Sequence, residues 1–124
     1  MKYWPVLLLL IMASCSKDGD TANDTTSPVI VLSNPSDGQS FTAGQAITIS
    51  GSVTDDNSIA EIHVHVSNNN TGVLLMDVHL YPAGASASFS QSLTAAAGVT
   101  YKIQVIAKDK AVNEGRSTVL VSGN

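Results

Sequence analysis

Three histidines and one aspartate lie on two neighbouring predicted strands, spaced so that they share one face. The set is His63, His65, Asp77 and His79. His63 and His65 are two residues apart, which places their side chains on the same side of a strand, about 7 Å apart. A hairpin that pairs His63 with His79 also sets His65 opposite Asp77, whereas a slip of the register breaks the set. Imidazoles beside a carboxylate suit zinc and other transition metals. The pattern therefore predicts a metal site, and a solvated sheet face on which histidine is simply polar is the alternative.

A second group of oxygen donors falls into two loops that an up-and-down strand order brings to the same end of a sandwich. Its members are Asp55, Asp56, Asn57, Asp109, Asn113 and Glu114. Calcium takes about six to eight oxygen ligands and accepts carboxylates and amide oxygens. Asp and Asn are also common in loops because they bond to their own backbone, and no EF-hand spacing is present. A calcium site and ordinary turn chemistry are therefore both open interpretations.

The sequence contains no motif that indicates catalysis. Ser, His and Asp occur, but there is no Gly-x-Ser-x-Gly turn, no His-Glu-x-x-His helix and no phosphate-binding glycine loop. The net charge is −4, and the six basic residues are scattered, whereas nucleic acid binding needs clustered Lys and Arg. We therefore predict a protein that is not an enzyme and does not bind nucleic acid.

Short stretches of alternating apolar and polar residues must position these side chains. They are separated by turns rich in Gly, Asn, Pro and Asp, and the predicted strands are 28–32, 46–53, 62–66, 74–80, 87–93, 101–107 and 117–121. Seven short strands without a long helical period predict an all-β fold, an immunoglobulin-like seven-stranded antiparallel sandwich. Leu74, Met76, Val78 and Leu80 are predicted to face the core. Tyr101, near the start of the sixth strand, is either the tyrosine of a tyrosine corner or an ordinary core residue.

The first residues have the layout of a secretory signal peptide. Lys2 precedes the apolar run 6–12, and the small residues Ala13 and Ser14 precede Cys15. The run is far shorter than the about 20 residues that span a bilayer. We therefore predict a cleaved signal peptide over residues 1–14. Cys15 is the only cysteine, so no disulfide forms within the chain.

The motif Met12-Ala13-Ser14-Cys15 resembles a bacterial lipobox, which implies that Cys15 becomes the first mature residue and carries lipid. The residues that follow resemble the short acidic export signal of Bacteroidetes-type surface lipoproteins, with Gly19 interrupting it; they are Ser16, Lys17, Asp18 and Asp20. This resemblance implies display on the outer face of the outer membrane, and a plain solvated linker is the alternative.

Residues 15–27 form the predicted flexible linker, because they contain too little apolar surface to order themselves. Within it, Asp20-Thr21-Ala22 and Asp24-Thr25-Thr26 resemble the Asp-Thr motif for O-glycosylation in the same bacterial group. The resemblance implies modification of Thr21 and Thr25, and an unmodified linker is the alternative.

The span from Pro28 to Val121 resembles bacterial immunoglobulin-like domains. The resemblance rests on Pro28-Val29-Ile30, on Gly51-Ser52-Val53-Thr54-Asp55-Asp56-Asn57 and on the segment from Tyr101 to Glu114. The end of that segment is similar to an Ala-x-Asp-x-x-Gly-Asn ending, with Val112 where glycine is usual. The resemblance implies one sandwich over residues 28–124.

Together these features predict a non-enzymatic, lipid-anchored lipoprotein of the outer membrane that serves as a binding, adhesion or accessory module. Its expected partners are the membrane, through Cys15, and a protein or carbohydrate ligand. Loops 34–44, 67–72 and 94–98 are expected to point away from the tether and to contact that partner. The sequence identifies no definite cofactor, with calcium or zinc as the candidates. The alternative function is metal binding, with zinc or copper at the histidines or calcium at the loop carboxylates.

Overall fold

The computed structural model describes residues 24–124, and all the regular elements in that part of the chain are β-strands. They are β1 (Val29–Asn34), β2 (Ser40–Phe41), β3 (Ala46–Thr54), β4 (Ile59–Asn68), β5 (Leu74–Leu80), β6 (Ser86–Thr94), β7 (Thr100–Asp109) and β8 (Glu114–Gly123). The predicted all-β immunoglobulin-like class is confirmed. The additional strand is β2, whose two residues are too few for an alternating pattern to reveal it.

Two sheets form the sandwich. The three-stranded sheet has the order β1-β3-β6, and the five-stranded sheet has the order β2-β8-β7-β4-β5. The pairings are antiparallel except that β2 runs parallel to β8. Within the described chain no helix is long and apolar enough to cross a membrane.

The core lies between the sheets and follows the alternation of the sequence. Its largest fully buried side chains come mainly from β3, β4 and β7: Ile47, Ile49, Val53, Ile59, Ile62, Val64, Val66, Ile103, Val105 and, from β8, Val121. Each such side chain contributes about 1.5–3 kcal/mol through removal of apolar surface from water. The residues between them along each strand face outward, so the core fixes which side chains the outer faces present.

Tyr101 at the start of β7 forms a tyrosine corner. Its ring is 2% exposed, and its hydroxyl oxygen accepts a hydrogen bond of 2.7 Å from the backbone N–H of Ala96, five residues upstream. This bond ties the turn before β7 to the core, as in other sandwiches of this type. The structure therefore decides in favour of the corner over an ordinary core tyrosine.

β5 is the edge of the larger sheet and is incompletely covered, because the opposite sheet has only three strands. Met76, Val78 and Leu80 are half-buried, as their alternation predicts. Leu74 has the same parity but is 50% exposed, so the prediction that it faces the core is wrong. Met76 lies opposite Val66 but Leu74 lies opposite Ser67, so a β-bulge at Leu75 breaks the alternation and turns Leu74 away from the core side.

The chain enters the sandwich at the end that carries the β3–β4 and β7–β8 loops. Asn113 Nδ2 donates a hydrogen bond of 2.6 Å to the carbonyl oxygen of Asp24. The last part of the predicted linker thus contacts the domain. The predicted signal peptide over residues 1–14 and the remainder of the linker lie outside the described residues.

The loops predicted to point away from the tether gather at the opposite end. Asn69 N–H donates to Thr100 O, Gly44 N–H donates to Ala95 O, and Gly98 N–H donates to Gly123 O. These bonds connect segments 34–44, 67–72 and 94–98 to the start of β7 and the end of β8. The sandwich therefore has an entry end and a distal end, defined by these contacts.

Candidate functional site

The outer face of the five-stranded sheet carries the histidines. Ile62, Val64 and Val66 of β4 are fully buried, so the residues that alternate with them point outward. β4 pairs with β5 in the register that sets His63 opposite His79 and His65 opposite Asp77. All four residues predicted as a metal site therefore lie on one solvent-facing surface.

Two hydrogen bonds between a histidine and a carboxylate connect the strands on this face. His63 Nε2–H donates a hydrogen bond to Asp77 Oδ1, and His79 Nδ1–H donates one of 2.7 Å to Glu61 Oε1. His79 Nε2 lies 3.3 Å from the same Asp77 oxygen. The rings of His63 and His79 are stacked, with centroids 4.1 Å apart and planes 15° apart. Asp77 thus contacts the Nε2 atoms of both rings.

The compact set on this face differs from the predicted one by one residue. Glu61, His63 and His79 each offer a ligand atom, and these three atoms lie within 4.8 Å of one another. His65 packs edge-on against His63 with ring centroids 5.6 Å apart, outside that trio. Glu61 was not predicted, although its position two residues before His63 was the available signal, because glutamate is ordinary on a solvated strand face.

The charges on this face shift the pKa values of two groups. The hydrogen bond from His63 lowers the pKa of Asp77, and this outweighs its partial desolvation. The hydrogen bond to Glu61, helped by the nearby Asp77, raises the pKa of His79 above its ordinary value. In the absence of metal, the arrangement favours an imidazolium held between two carboxylates.

The raised pKa of His79 predicts a pH-dependent contribution to stability. The contribution of its pairing should be complete below the unfolded-state pKa of about 6.5 and lost as the pH rises through the higher folded-state value. In metal-free buffer, His79→Gln should therefore lower the melting temperature clearly at about pH 6 and hardly at about pH 9. Glu61→Gln should reproduce the loss, and the double variant should add little to either single one. An equal effect of His79→Gln at both pH values would contradict the pairing.

The loop carboxylates also meet, but in a different combination from the predicted one. One carboxylate oxygen each from Asp24, Asp55 and Asp109 lies within 4.8 Å of the other two. Asp56 and Asn57 are exposed and outside the trio, and Glu114 is paired with Arg116 across 2.9 Å. Asp24 was not predicted as a member of this site because it lies in the predicted polar linker, where no sequence pattern distinguishes it from the neighbouring polar residues.

Most bonds of this acidic cluster close turns. Asp109 is 2% exposed and accepts hydrogen bonds from the Asn113 backbone N–H at 2.8 Å and from Asn113 Nδ2 at 2.9 Å. Asp55 Oδ2 accepts from the backbone N–H groups of Asn57 and Ser58 at 3.1 and 3.0 Å. Asp24 Oδ2 and Asp55 Oδ1 are buried without a partner within the described chain. Turn chemistry accounts for the bonds that are made, and calcium binding stays a prediction.

The pKa values of two members of the cluster move in opposite directions. The Thr26 N–H bond would lower the pKa of Asp24, but desolvation and the neighbouring Asp56 and Asp109 outweigh it and raise the pKa. Burial would raise the pKa of Asp109, but the bonds from Asn113 outweigh it and lower the pKa. A proton in this cluster therefore resides preferentially on Asp24, beside an ionised Asp109.

Over residues 28–121 the chain matches the family model described as a bacterial Ig domain. This protein belongs to the bacterial Ig domain family. The match covers both sheets and excludes only the residues before Pro28 and the last three. No curated protein matches the chain at a significant level.

Solved structures similar to this bacterial Ig domain come from proteins of different kinds. A fibronectin(III)-like module structure of CbhA from Clostridium thermocellum has 22% identity and a TM-score of 0.53, covering 77% of this chain and 94% of that one. A superoxide reductase (neelaredoxin) from Ignicoccus hospitalis has 16% identity and a TM-score of 0.52, covering 80% and 81%. OgpA from Akkermansia muciniphila has 10% identity and a TM-score of 0.53, covering 77% and 28%. At these identities the likeness shows the fold alone.

The predicted modification sites stand mostly apart from the described structure. Cys15, Ser16, Lys17, Asp18, Asp20 and Thr21 lie outside the described residues. Thr25 is described and exposed, beside Asp24 at the entry end of this bacterial Ig domain. Its hydroxyl is therefore accessible, and its glycosylation stays a prediction.

Proposed function

We propose that this bacterial Ig domain is a non-enzymatic binding or accessory module, tethered to the outer membrane by lipid on Cys15 and displayed at the cell surface. The lipobox-like motif and the acidic residues after it support the anchor and the display. The domain contributes a rigid sandwich whose entry end receives the tether at Asp24. A lipidated bacterial cysteine that carries several acyl chains would hold the module permanently.

The observation that carries this proposal is the position of exposed apolar surface at the end away from the tether. Val73, Leu74 and Leu75 are 57%, 50% and 44% exposed and directly follow the distal 67–72 loop. Large apolar side chains exposed in succession favour a contact surface for another molecule. A partner at this end would meet the module without obstruction from the membrane.

The shape of the sandwich supports a role in binding rather than catalysis. A depression beside β2, with a volume of about 140 Å³, is lined by Asn34, Pro35, Gln39, Phe41, Ala46 and Thr48. Enclosed ligand sites usually measure about 300–1,000 Å³ and bring together polar groups with perturbed pKa values. The groups with shifted pKa values in the described chain, Asp24, Asp77, His79 and Asp109, do not line this depression.

The anchor is tested with Cys15→Ser in the native host. We expect the variant to keep the fold of the domain but to lose signal-peptide processing and the incorporation of labelled fatty acid, because the serine hydroxyl cannot replace the thiolate in the alkylation. The control is Thr25→Ser, which changes the linker and preserves the cysteine. A processed Cys15→Ser variant that stayed in the membrane fraction would overturn the anchoring.

The binding surface is tested with a pair of valines of equal exposure. Val73 is 57% exposed at the distal end, and Val31 is 56% exposed on the other sheet. After cross-linking on intact cells, Val73→Ser should reduce recovery of the partner about tenfold, and Val31→Ser should leave it unchanged. Equal recovery with both variants would contradict a distal binding surface.

A second candidate function is metal binding at the histidine face. The specific observation in its favour is the β4–β5 register, which sets His63 opposite His79 and His65 opposite Asp77. This function is compatible with an anchored module, since the face lies on the side of the sandwich rather than at either end.

A further inference from the structure

We propose that Glu61, His63 and His79 bind Zn²⁺ on the outer face of the five-stranded sheet, with Asp77 orienting both imidazole rings. The inference rests on the metal-binding candidate above and replaces His65 of the predicted set with Glu61. It assigns an open surface site with three protein ligands, which leaves the fourth zinc position to water or to a group from another molecule.

The ligand set is the first argument. Two imidazole nitrogens and one carboxylate oxygen form a common three-residue zinc set, with metal–ligand distances of about 2.0–2.2 Å. In a tetrahedral site such distances place the ligand atoms about 3.3 Å apart. The three atoms lie within 4.8 Å of one another in the structure, so each needs to move by at most about an ångström. The stacked rings must turn about their terminal torsions, which are soft.

The exposure of these side chains makes that adjustment inexpensive. His63 and Glu61 are 23% and 25% exposed, and His79 is 40% exposed. Their backbones are fixed, because β4 is paired with both β5 and β7, and the residues between the ligands, such as Ile62, are fully buried. The sheet therefore supplies a rigid base while only the outer side chains rearrange.

Asp77 supplies the second argument. Its Oδ1 contacts Nε2 of both His63 and His79, which leaves the Nδ1 atoms of the two rings for the ion. A carboxylate that accepts the second N–H of a ligating histidine fixes the ring and makes its other nitrogen a better ligand. In the structure this one carboxylate contacts both rings. Histidines that were only polar surface residues would not need a shared carboxylate to orient them.

Charge supplies the third argument. With both imidazoles neutral, Glu61 and Asp77 give the face two negative charges, which a divalent cation would balance. His79 Nδ1–H donates to Glu61 Oε1 across 2.7 Å. Zinc would take the place of this shared proton, bonding to Nδ1 and to the carboxylate while the proton leaves to solvent. The metal-free hydrogen bond thus already brings one nitrogen and one oxygen of the site together.

The main test is zinc titration of the purified full-length chain after removal of metal. Added ZnCl₂ should raise the melting temperature by several degrees, because an ion that binds only the folded state must stabilise it. MgCl₂ should not, since magnesium prefers an all-oxygen octahedral site. Glu61→Gln, His63→Gln and His79→Gln should each weaken zinc binding by at least about tenfold. The matched control is His65→Gln, on the same strand and face, which should change the dissociation constant less than about threefold.

A second measurement reports on the ligands directly. Nitrogen NMR of the three imidazole rings should show zinc shifting the Nδ1 signals of His63 and His79 and not those of His65. Asp77→Asn should weaken zinc binding about tenfold while the same two rings still respond, since it positions the ligands without contacting the ion.

Two results would overturn the site: no melting shift at millimolar zinc, or equal weakening by His65→Gln and His63→Gln. Neither bears on the anchored module, because lipid attachment at Cys15 and partner recovery are measured separately. Conversely, if the protein isolated from its native host carried no lipid but bound zinc through the two histidines, the proposed anchor would be wrong and the metal site would stand.

Discussion

Replacing Gly51 with alanine is expected to destabilise the domain by about 3 kcal/mol. Gly51 lies in the middle of β3, and a Cβ atom there would stand 2.1 Å from the carbonyl oxygen of Val31 and 2.9 Å from Cζ of Phe89. The carbonyl belongs to β1, the strand paired with β3, so relief of the clash requires the two strands to separate. Because Ile30 and Leu32 of β1 pack on the core, that separation would expose apolar surface. Denaturant unfolding of the purified chain measures the effect.

A second glycine provides the control for the Gly51 prediction. Gly98 has a φ of 79°, and a Cβ atom there meets nothing within 4 Å. Gly98→Ala should therefore cost only the left-handed backbone conformation, about 1 kcal/mol. If the two variants were equally stable, steric contact between β1 and β3 would not be the reason for glycine at position 51.

Asp109→Asn is expected to cost about 2 kcal/mol at neutral pH, the second-largest effect. The Asp109 carboxylate is buried and accepts two hydrogen bonds from Asn113, which close the β7–β8 loop and hold Nδ2 against Asp24 O. An asparagine can accept one of these bonds, but its own NH₂ would then face the NH₂ of Asn113. Removal of one charge from the acidic cluster relieves some repulsion. That relief is smaller than the cost of losing one hydrogen bond to a buried group and the charge assistance of the other.

The pH dependence of this variant distinguishes the mechanism. The pKa of Asp109 is lowered below its unfolded-state value of about 3.8, so its contribution is present above that value and lost as the pH falls through the folded-state pKa. The stability difference between the parent and Asp109→Asn should therefore shrink below about pH 4. Glu114→Gln, which alters an exposed pair with Arg116, should cost less than about 0.5 kcal/mol and serves as the control. A variant Asp109→Asn as stable as the parent at neutral pH would contradict the role of the carboxylate.

The fold could be predicted because apolar and polar residues alternate along a strand in step with which side chains are buried. Along β4, Ile62, Val64 and Val66 are buried, and the intervening residues face solvent, as the period of two requires. The same rule failed for Leu74, because a β-bulge inserts Leu75 and sets Leu74 opposite Ser67 rather than opposite a core residue. Periodicity along one strand contains no information on where a bulge in the pairing will interrupt it.

The candidate sites were predicted only in part, for related reasons. His63, Asp77 and His79 were predicted as site residues because histidine is a rare residue. Their spacing also places all three on the same face of the sheet. Glu61 and Asp24 were missed because acidic residues are common on solvated strands and in linkers, so neither position is conspicuous. Their participation depends on side-chain reach and on the path of the chain before β1, which become known only in three dimensions.

The contact between Asp24 and Asn113 has a mechanical consequence. Asn113 immediately precedes β8, whereas Asn124 follows its far end and donates its backbone N–H to Phe41 O. Asp24 and Asn124 are therefore separated by the length of a ten-residue strand, about 30 Å. A pulling force applied between them would run along the strands and load the β1–β3 hydrogen bonds in shear, all at once rather than one after another. Under tension the sandwich should resist extension far better than a fold in which the force breaks the hydrogen bonds between terminal strands one after another.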